Sequence, residues 1–177
     1  TCRLIKDIKH TCEYNSGGIA EIILLDIRDF IAYQFKGDGL YNECYVESLR
    51  MRSEDYIHLD VVSESRFTET KANDIYKQEL TTFIRSIDAR KTADLLLSSS
   101  NKYLTLFKMY NNRVFSFGSD GGSAFEFSQQ SGQLGESAGY NISLKKESIY
   151  PLFEIDISNP MVANRRIFDV TFDFTFD

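Results

Sequence analysis

Two histidines, His10 and His58, and three cysteines, Cys2, Cys12 and Cys44, are all this chain offers for the chemistry on which most metal sites and nucleophilic enzymes depend. A zinc site needs three or four His, Cys or carboxylate ligands at spacings such as Cys-x2-Cys or His-Glu-x2-His. Cys2, His10 and Cys12 match no such spacing and read as unrelated surface and core residues. His58 falls on the polar side of an alternating stretch. A histidine bonded to a neighbour or to water is expected there, rather than a general base. An odd number of cysteines over this length does not suggest a disulfide framework, so the thiols read as small, reduced apolar side chains.

The glycine-rich run Gly118-Ser119-Asp120-Gly121-Gly122 invites comparison with a phosphate-binding loop. It lacks the Gly-Lys-Ser/Thr ending that supplies the lysine and magnesium contacts, and a strand is expected after it where such a loop needs a helix. It reads as a turn between strands. Asp120 alone lacks the alternating carboxylates of an EF-hand calcium loop, and no Gly-x-Ser-x-Gly nucleophile turn is present. Asp169 and Asp173 lie on one side of a predicted terminal strand, where a solvated polar face is the expectation, not an acid/base pair. The 14 Phe and 10 Tyr could stack on sugars or bases, but most sit at core-facing strand positions. No catalytic, metal or cofactor residues are expected, and the chain reads as a non-enzyme.

Composition narrows the partners further. The net charge is -6 and the pI about 5.0, so the Lys/Arg excess of a phosphate-gripping DNA or RNA binder is missing. An acidic surplus does suit a wall that DNA slides past. No stretch approaches the roughly 20 apolar residues of a membrane-spanning helix, so no membrane partner is expected. No signal-peptide pattern opens the chain. Thr1 fits removal of an initiator methionine, so synthesis in the cytoplasm is the expectation.

The elements that must position these residues read mainly as strands. Asn15-Ser16-Gly17-Gly18 is a turn signal, followed by a core strand over Ala20–Asp26 whose apolar residues follow no single period, and a short turn at Asp29-Phe30. Gly37-Asp38-Gly39 marks a turn. Tyr45–Arg52 reads as a strand, Ser53-Glu54-Asp55 as a turn, and Asp55–Ser65 as a half-buried strand with Ile57, Leu59 and Val61 on one side. A helix is predicted over 74–88, capped by Asn73 or Asp74, from Ile75, Leu80, Phe83, Ile84 and Ile87 at helical spacing. A second short helix fits Thr92–Ser98. Tyr103–Tyr110 and Arg113–Phe117 read as a hairpin with a two-residue turn at Asn111-Asn112. Further strands are expected over Ala124–Ser128, Gly139–Lys145 and Ser148–Ile157.

After Ser158-Asn159-Pro160 the texture changes. Ile167–Phe176 reads IFDVTFDFTF, with Phe168, Val170, Phe172, Phe174 and Phe176 on one side and mostly Asp and Thr on the other. So regular an alternation must pair with something or expose an apolar stripe. It can pair within its own domain or add to a neighbouring subunit's sheet. Those five residues are the candidate inter-subunit assembly residues.

The order of motifs from Tyr103 to Leu144 resembles a known group. A strand and the Asn-Asn turn lead to Phe117-Gly118 with Asp120-Gly121-Gly122, then Ser131-Gly132, then Gly139-Tyr140-Asn141-Ile142-Ser143-Leu144. Together with Cys12, the Gly17-Gly18 loop and the strand leading to Asp29-Phe30, this resembles structural proteins of phages and prophages of Bacteroidetes, including crAss-like phages. The resemblance implies a virion tail or neck protein with a β-sandwich-plus-helix fold of the tail tube kind.

The expected architecture is therefore mainly β with one or two helices: a β-sandwich or barrel packed by a helix. It comprises a tail tube-like β domain over 1–157 and a C-terminal extension or arm over 158–177. The expected function is self-assembly into a ring or tube of the tail or neck. Its partners would be copies of itself and adjacent tail, neck or portal proteins, with DNA only as a passing neighbour and the virion as location. The alternative is a receptor- or glycan-binding β-sandwich of a phage fibre or spike, which an aromatic cleft would favour. A small hydrolase is the remaining rival, and it would need a pocket of convergent carboxylates.

Overall fold

Strand β1 (Ile19–Asp26) shows no amphipathic period because both of its faces are buried. Ile22 and Leu24 point into one core cluster, while Ile23 and Leu25 point into another. The structure, a computed structural model, describes residues 17–35, 44–53, 55–60 and 65–156 of the 177-residue chain. In chain order, β1 leads through a 3-10 turn (Ile27–Asp29) to β2 (Phe30–Phe35), β3 (Tyr45–Met51), β4 (Ile57–Leu59), β5 (Arg66–Ala72) and β6 (Ile75–Arg85). Helix α1 (Ala89–Ser99) follows, then β7 (Lys102–Met109), β8 (Val114–Phe117), β9 (Ser123–Gln130), β10 (Gly139–Ser148) and β11 (Phe153–Ile155).

The hydrogen-bonded order is β2-β3-β11-β8-β7-β9-β10-β6-β5, with β1 joined to β7 and to β4. All pairs are antiparallel except β11 with β3, which makes the sheet mixed. Strand β7 is the hub. It pairs with β1 along most of its length on one side. On the other side it pairs with β8, and then, at Lys102 and Tyr103 only, with β9. That short corner lets β9, β10, β6 and β5 fold over the first layer as in a sandwich. Between the layers lies the larger cluster, with Ile22, Leu24, Phe107 and Phe117 from one layer and Leu80, Phe125, Tyr140, Ile142 and Leu144 from the other. The second cluster covers the opposite face of β1 and β7 with Val46, Leu49, Met51, Phe153 and Ile155, and Phe30, Tyr33 and Phe35 of β2 pack against it. The chain is thus mainly β with one helix, in the sandwich-like arrangement expected.

The helix predicted over 74–88 is corrected: that stretch is β6, the second arm of a hairpin. Asn73 and Asp74, expected as a helix cap, both adopt positive φ (51° and 61°), the conformation of a type I′ turn that matches strand twist. Along β6 the buried residues Gln78, Leu80 and Thr82 alternate at period two, and Thr81, Thr82 and Ile84 are β-branched, which favours a pleated surface. The apolar residues at 75, 80, 83, 84 and 87 mimic helical spacing because Phe83 is also buried, on the other face.

The second predicted helix is present and longer, Ala89–Ser99. Its N-cap is Asp88, whose carboxylate accepts from Lys91 N at 2.8 Å. The phenol of buried Tyr140 ties the helix to β10 through Asp88 O (3.0 Å) and Thr92 Oγ1 (2.6 Å). Leu95 is its buried residue.

The β7–β8 hairpin is as expected, but its loop is Tyr110-Asn111-Asn112. Met109 and Arg113 close it (2.9 Å), Asn112 N donates to Met109 O (3.0 Å), and Asn112 alone takes positive φ. The strand expected over 55–65 is reduced, among the described residues, to Ile57–Leu59. The expected closing strand is divided: β10 runs on to Ser148, and β11 starts at Phe153. The turn at Gly37-Asp38-Gly39 lies outside the described residues.

Candidate assembly surface

The sheet is open, and its margins are where it meets its surroundings. Among the described residues β5 pairs only with β6, β2 only with β3, and β4 only with β1. The β5–β6 hairpin is the longest of these margins, and every β5 residue except Phe67 is exposed. An unpaired edge presents a row of N–H and C=O groups that another chain can match. Phe67 is half-buried, its ring 4.9 Å from that of Phe107 and 5.1 Å from that of Phe117. The free edge therefore runs beside the margin of the main core.

The outward face of β6 and β10 is polar, as the alternation Asn141, Ser143, Lys145 requires. Two hollows of about 490 Å³ and 360 Å³ lie along it and share Glu79 and Lys145. Thr68, Thr70, Lys77 and Glu147 line the first, and Glu126, Ser128, Asn141 and Ser143 the second. The lysines here are held by carboxylates: Lys145 by Glu126 (3.2 Å) and Lys77 by Glu147 (4.0 Å). These exposed pairs add little stability, about 0–1 kcal/mol each, but they leave little free positive charge for a phosphate.

The described residues singled out for chemistry, His58, Cys44 and Asp120, lie on separate elements. Cys2, His10 and Cys12 lie outside the described residues. So do Asp169 and Asp173, and the candidate assembly residues Phe168, Val170, Phe172, Phe174 and Phe176. His58 sits on β4 with Nε2 3.1 Å from Glu21 Oε1. Glu21 is buried on β1, and Lys108 stands opposite it on β7. That buried charge row was not foreseen. Its only sequence signal is a Glu inside the apolar run of β1 and a Lys inside that of β7. Cys44 is half-buried, and burial pushes its thiol pKa up, away from reactivity.

The glycine-rich turn is used structurally. Asp120 O accepts from Lys146 Nζ (2.6 Å), its carboxylate accepts from Ser148 Oγ (2.9 Å), and Gly122 N closes onto Gly118 O (2.9 Å). Gly122 cannot carry a side chain there, because a Cβ would come within 2.7 Å of Lys102 Cβ and 3.0 Å of Tyr103 N. Tyr33 donates to or accepts from Ser116 Oγ (2.6 Å), and burial raises its phenol pKa. Many of the rings pack on one another: Tyr33 against Phe30, Phe35 and Phe153, and Phe107 against Phe67, Phe115 and Phe117.

Among the described residues no group of three or more His, Cys, Asp or Glu is placed to hold a metal ion, and no helix is long and apolar enough to cross a membrane. Compared with known protein families, with curated proteins and with solved structures, the chain matches none.

Proposed function

We propose that this chain is a phage virion structural protein that assembles with copies of itself into a ring or tube of the tail or neck, lining or extending the DNA passage. The observation that carries this reading is the open sheet: among the described residues the long β5–β6 hairpin exposes an unpaired edge at one margin, and β2 at the other margin pairs only with β3. A head-to-tail contact, in which an exposed edge of one copy meets a different part of the next, closes into a ring when its rotation divides a full turn, and rings then stack. The polar face between the two hollows, with its lysines held by carboxylates, suits a surface that a polyanion passes without sticking.

A glycan-binding module would use aromatic rings in a cleft. Among the described residues the two hollows on the β6–β10 face are lined mainly by Thr, Ser, Glu and Lys, with Phe127 their one ring, which favours assembly over glycan binding. The test is negative-stain electron microscopy of the purified chain over a range of concentrations. Rings or tubes support assembly. A compact monomer at the highest concentration contradicts it.

A further inference from the structure

Strand β5 has two unlike faces. On the inner side Phe67 borders the Phe107–Phe117 cluster, and Glu69 beyond it accepts from Leu152 N at 2.8 Å. On the outer side stand Arg66, Thr68 and Thr70, with no carboxylate among them, and Lys77 lies opposite Thr70 on β6. Glu79, opposite Thr68, is engaged by Ser143 Oγ at 3.1 Å. A strand completing this edge needs an apolar row to extend the phenylalanine cluster and an acidic, hydroxyl-bearing row to face Arg66. Ile167–Phe176 has both: Phe168, Val170 and Phe172 alternate with Asp169, Thr171 and Asp173.

Resting on the assembly proposed above, we propose that Ile167–Phe176 of one copy pairs with the free edge of β5 in the neighbouring copy. The described chain leads away from its own β5 edge. Leu152 touches β5, but β11 then leads away from it, with Glu154 N bonded to Cys44 O and Asp156 N to Val46 O, both at 2.8 Å. By Asp156 the chain lies beside β3, toward the opposite margin of the sheet. Residues 157–166 join Asp156 to Ile167, and ten residues span at most about 33–36 Å, a length that allows the segment to leave its own domain. Each copy then donates one strand and receives one, a heterologous contact built by strand addition.

The test uses full-length chains in which Cys2, Cys12 and Cys44 are replaced by Ser. One chain carries Thr70→Cys. Others carry Ile167→Cys, Asp169→Cys, Thr171→Cys, Asp173→Cys or Thr175→Cys, the five positions of the row that alternates with the phenylalanines. Cβ atoms opposite one another on paired strands lie about 4.5–5.5 Å apart, within disulfide reach after small adjustment. Mixing the Thr70→Cys chain with the tail variants is expected to give an interchain disulfide with at least one of them. A chain carrying both substitutions is expected to give a ladder of covalent oligomers. Phe172→Asp is expected to weaken assembly at least tenfold while leaving the far-ultraviolet circular dichroism unchanged. Three results overturn the inference alone: only intrachain links, no link from any register in a chain that still assembles, or undiminished assembly by Phe172→Asp. A wild-type chain that never leaves the monomer overturns the inference together with the assembly reading.

Discussion

Replacing Gly139 with Ala tests the packing of β10 on β6 at a single methyl group. Gly139 lies opposite Arg85 where the two strands begin their pairing, and Ser86 N donates to Ala138 O (3.0 Å) at the same place. A Cβ here would run into the Ile84 carbonyl oxygen, and would lie 2.8 Å from Phe83 Cζ and 3.0 Å from the Ile84 carbonyl carbon. Two of these obstacles are main-chain atoms, so the strands themselves must separate. Overpacking of this kind costs about 1–3 kcal/mol, and loosening one or two adjacent hydrogen bonds adds about 1 kcal/mol each. The smaller entropy of an Ala in the unfolded chain returns about 0.4–1 kcal/mol. The expected net loss is about 2–3 kcal/mol, or roughly 4–12 °C in Tm for a chain of this size. The assay is urea unfolding followed by circular dichroism, at a concentration where the chain is monomeric, so that assembly does not add to stability. Gly17→Ala, where a Cβ meets nothing within 4 Å, serves as the control and should stay within about 0.5 kcal/mol. Equal stability of Gly139→Ala and the parent would refute this account of the β6–β10 contact.

Tyr140→Phe removes the hydroxyl that joins β10 to Asp88 and Thr92. It should cost about 1–2 kcal/mol in urea unfolding and speed amide exchange in α1 more than in the β7–β8 hairpin. Asp88 has its carboxyl pKa held below the ordinary 3.8 by the Lys91 backbone N–H. Its contribution to the helix is therefore complete above that value and is lost as pH falls through the lowered one. Helix amide protection should fall on acidification below about 4, and Asp88→Asn should flatten that dependence. Asp74→Gly relieves a non-glycine residue of its positive φ at the β5–β6 turn and should raise stability by up to about 1 kcal/mol in thermal unfolding. Asp74→Val should lower it.

What the sequence discloses of this fold depends on how local the determinants are. The β7–β8 hairpin is legible because two alternating strands and an Asn-Asn turn lie within one short stretch, and β10 because Tyr140, Ile142 and Leu144 face one core while Asn141, Ser143 and Lys145 face outward. The β5–β6 hairpin is misread because Phe83 is buried on the face opposite Leu80, which turns a period of two into an apparent helical one. The pairing of β10 with β6 and the parallel contact of β11 with β3 join segments far apart in the chain, and no local pattern announces them. The Glu21–His58 contact is hidden for the same reason, since β4 meets β1 across residues 27–56. For the assembly surface, the alternation in 167–176 is legible, but the edge that accepts a strand emerges only once β5 is placed at the end of the sheet.

Amide hydrogen exchange of Arg66–Ala72, measured in dilute solution and again in the concentrated chain, addresses assembly at the sheet margin most directly. Pairing of copies predicts that the outward amides of β5 slow strongly on concentration, while the loop at 131–138 is unchanged. Identical β5 exchange at both concentrations, in a sample that has assembled, would contradict the claim that the sheet edge joins one copy to the next.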